Sequence, residues 1–169
     1  LKKKFIKKKI YYLPFANDNH IHKKIESKFK HFDLSFIGTA DKYRHNIIKN
    51  LSEFKIILAG NGWNRFKISR NVKYINDVGP KEFAKSIAKS KVSLNILRPQ
   101  NKFSHNMKTF EIPSMGGLMI TQRSAEQHEF FPENKACLMY SNVNELKKKL
   151  KLSIKNIKKF DKIKRYGFK

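Results

Sequence analysis

The chain has 169 residues, enough for one domain or one domain with tails, and its 40% hydrophobic content with 14 Phe can fill a core, which excludes wholesale disorder. A single cysteine, Cys137, excludes an internal disulfide framework and a thiolate zinc site. No apolar run reaches the roughly 18 residues of a membrane helix, and a formal net charge of +25 sets 38 Lys and Arg against 13 Asp and Glu.

The charge supports two readings. One is an anionic partner reached through counterion release, either nucleic acid or an anionic membrane surface. The other is a set of lysines spread over solvated faces. The lysines cluster at 2–4, 7–9, 23–24, 147–149 and 158–159, favouring the two ends. No RNA-recognition, zinc-finger or helix-turn-helix pattern accompanies them, so no specific nucleic acid is expected. The start "LKKKFIKKKIYYL" has too short and too interrupted an apolar part for a signal peptide. A cytoplasmic location, with contact to the inner membrane face, is the expectation.

Residues 1–32 form a basic lead-in, with an edge strand expected at about 9–13. From there strands and helices alternate. "DLSFIG" (33–38) is a short apolar run closed by Gly, a buried strand. "DKYRHNIIKNL" (41–51) carries apolar residues at 43, 47, 48 and 51, a helical spacing. "FKIILAG" (54–60) and "NVKYIND" (71–77) read as the second and third strands. "GPKEFAKSIAKS" (79–90) places Pro near a helix start, and "KVSLNIL" (91–97) is the fourth strand. "NMKTFEIPSM" (106–115) reads as a helix that Pro113 kinks or ends, with Gly116 and Gly117 turning the chain into the strand "GLMIT" (117–121). "SAEQHEFF" (124–131) is a helix, "ACLMY" (136–140) a sixth strand, and a long amphipathic helix opens at "NVNELKKKL" (142–150).

The strand sequences are continuously apolar rather than alternating. That is the mark of a parallel sheet covered on both faces, so the fold class is α/β, a Rossmann-like doubly wound sheet. In such folds ligands sit at the carboxyl ends of the strands. Gly38 and Thr39 follow the first strand, Gly60 the second, and Asn76, Asp77 and Val78 the third; these six are the candidate ligand pocket, which the resemblance given below implies is a nucleotide pocket. Arg44, in the first turn of the next helix, is a candidate diphosphate clamp because a guanidinium offers bidentate donors. Ser104 is the expected N-cap of the helix that follows, whose free N–H groups suit a phosphate. Lys108 and Glu111, three apart, share a helical face, where a cation and a carboxylate can hold a diphosphate and a sugar's vicinal hydroxyls. His105 is expected to be solvated in a polar loop. Trp63 is expected in the core, and Cys137 is a buried, inert thiol. No metal site or cofactor is expected.

The string from "VSLNILRPQ" through "NMKTFEIPSMGGLMI" to "NELKKKL" resembles the C-terminal half of GT-B glycosyltransferases, in the spore-maturation CgeB-like branch of the group 1 family. That branch carries a pattern like N-x-R-T-F-E-I-P-A-x-G-G before a short strand. Asn106, Lys108, Thr109, Phe110, Glu111, Pro113, Gly116 and Gly117 match it, followed by Glu129, Phe130, Phe131, Tyr140, Glu145 and Leu146. The likeness covers about 33–169. It implies a half-enzyme that binds a nucleoside-diphosphate sugar without a divalent metal. Glu111 matches the carboxylate that holds the donor ribose. Arg44, Ser104, Asn106 and Lys108 fall to the diphosphate, and segment 76–78 to the base. Lys108 stands where Arg is usual, which loses bidentate geometry. Phe103 stands where many relatives carry a second Glu. Residues 1–32 are too short for the N-terminal Rossmann-like half that carries the acceptor site, so the catalytic base is unknown and a partner half is expected. The lead-in resembles the hinge strand, and the ending resembles the start of the closing helices. The alternative reading is a non-catalytic basic α/β domain that binds nucleic acid or anionic phosphate ligands.

Overall fold

The computed structural model describes residues 9–76 and 78–168. Six strands form one parallel sheet: β1 (Phe32–Ile37), β2 (Ile56–Ala59), β3 (Val72–Ile75), β4 (Ser90–Asn95), β5 (Met119–Gln122) and β6 (Leu138–Tyr140). Their order across the sheet is β3-β2-β1-β4-β5-β6, so the doubly wound α/β expectation holds. The chain winds outward from β1 to β3, crosses back, and winds the other way from β4 to β6. The carboxyl ends of β1 and β4 therefore diverge into a topological switch point, where such folds bind ligands.

The helices are α1 (Lys42–Lys49), α2 (Pro80–Ala88), α3 (Lys108–Ser114), α4 (Ala125–Phe130), α5 (Val143–Lys155) and α6 (Asp161–Phe168). Local chemistry sets their starts. Asp41, Ser124 and Asn142 cap α1, α4 and α5 by accepting a backbone N–H from Arg44, Gln127 and Glu145. Pro80 opens α2, where its missing N–H costs nothing. Pro113 is accommodated near the end of α3, which stops one residue later. There Gly116, at φ +74°, donates to Pro113 O and Gly117 to Ile112 O, a Schellman close that returns the chain to β5.

Two apolar layers cover the sheet. Leu34, Phe36, Ile56, Leu58, Val92, Leu94, Ile120 and Tyr140 pack on one face with Ile47 and Ile48 of α1 and Leu146 and Leu150 of α5. Ile37, Ala59, Met119 and Met139 pack on the other with Phe83 and Ile87 of α2 and Ile112 of α3. Trp63 is fully buried in the first layer, as expected. Cys137 is buried in the second; burial pushes its thiol up to about 12, and it donates to Phe131 O.

The lead-in differs from expectation. Residues 9–13 pair with no strand, and Ile10, Tyr11, Tyr12 and Leu13 are exposed. The segment instead runs as an irregular strap along the second layer. Phe15 meets His105, Ile25 joins the apolar layer, Lys24 lies against Gly116, and Lys30 Nζ donates to Ala88 O. The contacts that hold this segment are to side chains and single carbonyls, not to a sheet edge. No helix among the described residues is long and apolar enough to cross a membrane.

Candidate functional site

Glu111 lies in α3 and is only 3% exposed. Lys108 Nζ donates to its Oε2 at 2.7 Å and sits 4.2 Å from the centre of the Phe83 ring of α2. His22 of the strap places Nε2 3.4 Å from Oε1. Asp18 N–H donates to His22 Nδ1, so the ring proton resides on Nε2 and faces the carboxylate. One carboxylate thus gathers a cation from its own helix and a ring N–H from the strap. Val78 and Ile75, at the carboxyl end of β3, pack on the same apolar layer as Phe83 and Ile112. The structure thus brings Lys108, Glu111 and the residues after β3 to one side of the sheet. Asp77 lies outside the described residues.

The other diphosphate candidates are occupied in holding the loops. Arg44 is 9% exposed; Nε and Nη2 donate to Ile96 O and Nη1 to Thr39 O, while its plane stacks 5.6 Å from the Phe36 ring centre. It fastens α1 to the chain leaving β4 across the switch point. Asn106 and Asn95 exchange amide hydrogen bonds of 3.0 and 3.1 Å, and Asn106 N–H donates to Thr109 Oγ1. This polar lock ties the start of α3 to the end of β4. Asn95 went unnoticed in the sequence, because nothing marks a strand-terminal Asn as the partner of one 11 residues on.

Ser104 does not cap α3. The helix begins at Lys108, three residues later than that role requires, and Ser104 Oγ donates to Glu126 Oε2. The expected phosphate cradle of free N–H groups is likewise filled from within: Thr109 N donates to Asn106 O, and Phe110 and Glu111 N donate to Met107 O. His105 is also unlike the solvated residue anticipated. It is 5% exposed, ringed by Phe15, Phe110 and Phe130, and 2.6 Å from Glu126 Oε2. Phe15 N–H donates to its Nε2, which puts the ring proton on Nδ1 toward Glu126. Hydrogen bonds from His105 and then Ser104 hold the Glu126 carboxyl below its ordinary range. Glu129, which the resemblance singles out, is exposed.

The glycines after β1 and β2 serve each other. Gly60 has φ +119°, and a Cβ there would come within 2.6 Å of Gly38 O. That same carbonyl accepts from Trp63 Nε1 at 2.8 Å. Tyr74 OH bridges Gly60 O and Asn76 Oδ1, drawing the loop after β3 to the loop after β2. Beyond β5, Arg123 reaches Glu133 and Glu145, and Lys149 joins both carboxylates. The Arg123 hydrogen bonds, foremost, push the Glu145 carboxyl down to about 2. This network was not anticipated, since Arg123 and the Glu145 it pairs with lie 22 residues apart.

A doubly wound sheet with a buried carboxylate and a cation on the helix that follows β4 is a Rossmann-like domain of the kind found in GT-B glycosyltransferases. Residues 43–168 match the family model described as Glycosyl transferase-like, and the chain belongs to that family. Solved structures agree on the fold. HepE of Anabaena, solved in complex with UDP-glucose, superposes with a TM-score of 0.70 at 13% identity, covering 90% of this chain and 50% of that one. TarM gives 0.66 at 13% identity over 91% of this chain and 34% of its own. T4 phage BGT with its UDP-glucose substrate gives 0.65 at 12% identity over 88% and 47%. The chain therefore spans half or less of the length of these neighbours. Among curated proteins none matches it.

Proposed function

We propose that this chain is the nucleotide-sugar-binding half of a glycosyltransferase of the CgeB-like branch, which transfers a sugar from a nucleoside-diphosphate sugar to an acceptor held elsewhere. The observation that carries the reading is the buried Glu111 carboxylate, charge-paired with Lys108 on the helix whose start is tied to the carboxyl end of β4, in a chain of the Glycosyl transferase-like family. The solved complexes of HepE and of T4 phage BGT with UDP-glucose make a uridine nucleotide the first ligand to try.

In this reading Glu111 accepts the ribose hydroxyls, and residues 76–78 flank the base. Lys108 is the cation nearest the diphosphate, and its charge stabilises the leaving group as the glycosidic bond breaks. Arg44 and Asn106 hold the loops that the diphosphate crosses. With Glu111 only 3% exposed, His22 must leave Oε1 for the ribose to reach it. The acceptor and the catalytic base belong to a partner half. Cytoplasmic placement and contact with an anionic membrane face are part of the same proposal and rest on composition, chiefly the +25 charge. The family match lends the nucleic-acid alternative no support.

Calorimetric titration with UDP, GDP and ADP tests the reading. At least one should bind, with UDP the first expectation. A folded chain that binds none of the three overturns it.

A further inference from the structure

The strap is fastened at its two ends and bridged in between. Upstream, Phe15 N–H donates to His105 Nε2 at 3.2 Å, and the Phe15 and Tyr12 rings stand edge-on to the imidazole at 5.5 and 6.4 Å. Downstream, Ile25 joins the second apolar layer and Lys30 Nζ donates to Ala88 O. Between these ends Asn17, Asn19, His22 and Lys24 line a cleft of about 640 Å³ that they share with Phe110 of α3 and Tyr166 of α6. The bridging stretch holds its own shape. Ile21 and His22 N–H both donate to Asp18 O, His20 N–H donates to Asp18 Oδ1, and Asp18 N–H donates to His22 Nδ1. Asp18, Asn19, His20 and Ile21 are exposed, and the turn reaches the domain through His22 Nε2, 3.4 Å from Glu111 Oε1.

A self-bonded turn slung between two anchors can lift while the sheet and helices stay folded. The anchors therefore set how firmly it stays down. The downstream one is apolar burial. The upstream one is a single backbone hydrogen bond, and its acceptor must be an unprotonated ring nitrogen. His105 supplies that acceptor because Glu126 Oε2, 2.6 Å from Nδ1, keeps the ring proton on the far side. The donor reading leaves this buried histidine without a task.

We propose that the Asp18–His22 turn is a lid over Glu111 and that His105 is its latch, a positioning residue that acts on the ligand site through the strap. The gating of nucleotide by this lid rests on the ribose role given to Glu111 above. A closed lid lowers the apparent affinity of any ligand that needs Glu111, in proportion to the fraction of molecules that are open. Weakening the latch therefore raises affinity, and a ligand that takes Oε1 drives the turn outward. His105→Leu removes the acceptor, and His105→Gln keeps one where Nε2 stands. Phe15→Ala, at a residue 51% exposed, strips the ring that covers the imidazole without entering the core.

The test is amide hydrogen exchange across residues 15–22, together with calorimetry against UDP, on the full chain and these three variants. His105→Leu and Phe15→Ala should speed exchange of the Phe15 and His22 amides and tighten UDP, each by about two- to tenfold, the effect of one hydrogen bond. His105→Gln should match the parent chain in both. Saturating UDP should speed exchange of the turn in the parent. A histidine that only supported the fold would give the opposite sign, since its loss would weaken UDP. The inference is overturned if His105→Leu and Phe15→Ala leave exchange unchanged, if they leave UDP affinity unchanged or weaken it, if His105→Gln behaves as His105→Leu does, or if UDP fails to speed exchange of the turn on binding. If His105→Leu does not fold, Phe15→Ala decides alone. Failure of UDP to bind any of the four proteins sinks the proposed function, and exchange, which needs no ligand, then decides the lid and its latch.

Discussion

Replacing Glu111 by Gln keeps the side chain's shape and removes its charge. In the free chain the carboxylate accepts from Lys108 Nζ at 2.7 Å and faces His22 Nε2 at 3.4 Å. In the proposed complex two ribose hydroxyls take the place of His22. A hydrogen bond to a charged group contributes about 1.5–3 kcal/mol and a neutral one about 0.5–1.5. Two hydroxyls therefore lose roughly 2–3 kcal/mol between them, a fall in UDP affinity of about 30- to 150-fold. The variant also weakens the Lys108 pair, at a cost of about 1 kcal/mol of stability that a thermal melt reads separately. Glu129→Gln, on the exposed face of α4, is the control and should change UDP affinity less than about twofold, as most surface substitutions do. His22→Ala should act with the opposite sign, tightening UDP by about two- to tenfold, because it removes the group that competes for Oε1. Isothermal titration of the four proteins with UDP measures all of this. Equal losses in the two Glu variants, or an unchanged affinity in Glu111→Gln, would refute the ribose role.

Two further expectations concern the scaffold. Gly60→Ala should destabilise the chain by about 2–5 kcal/mol in urea unfolding, combining a strained positive φ with overpacking against Gly38 O; a loss under about 1 kcal/mol would show that the two loops can part freely. Acid should erode stability through Glu145. Its folded pKa is depressed to about 2, so its contribution is complete above about 4.5 and is lost as pH falls toward 2. Arg123→Gln should flatten the stability–pH slope across that window, and an unchanged slope would remove Arg123 as the cause.

The sheet was legible because each strand is an apolar run ended by Gly, Asn or a polar pair, and because such runs alternating with helical spacing admit few arrangements. Glu111 and Lys108 were legible as a pair because three residues on a helix fix proximity. What escaped was whatever depends on distance along the chain. Arg44 has the residue type and loop position of a ligand clamp, but its acceptor, Ile96 O, lies 52 residues away. Ser104 has the side chain of a helix cap, but Glu126 from the next helix captures it and the helix starts later. His105 reads as a loop histidine until Phe15, 90 residues earlier, arrives to cover it. Residues 9–13 of the strap read as an edge strand for the same reason: the local sequence does not say what the segment lies against.

The ion pairs have a consequence for kinetics. At least nine of the 13 acidic residues are engaged by a lysine, arginine or histidine close at hand. The scarce acids are thus spent on local contacts, and most of the 38 Lys and Arg have no acid to neutralise them. An anion approaching in dilute salt is attracted by this net positive charge, and its association rate falls as the ionic strength rises and the screening length shrinks to about 8 Å at physiological salt. In the proposed complex its departure, governed by short contacts such as the one to Lys108, responds far less. Ionic strength therefore sets how often such a ligand arrives, and the pocket sets how long it stays.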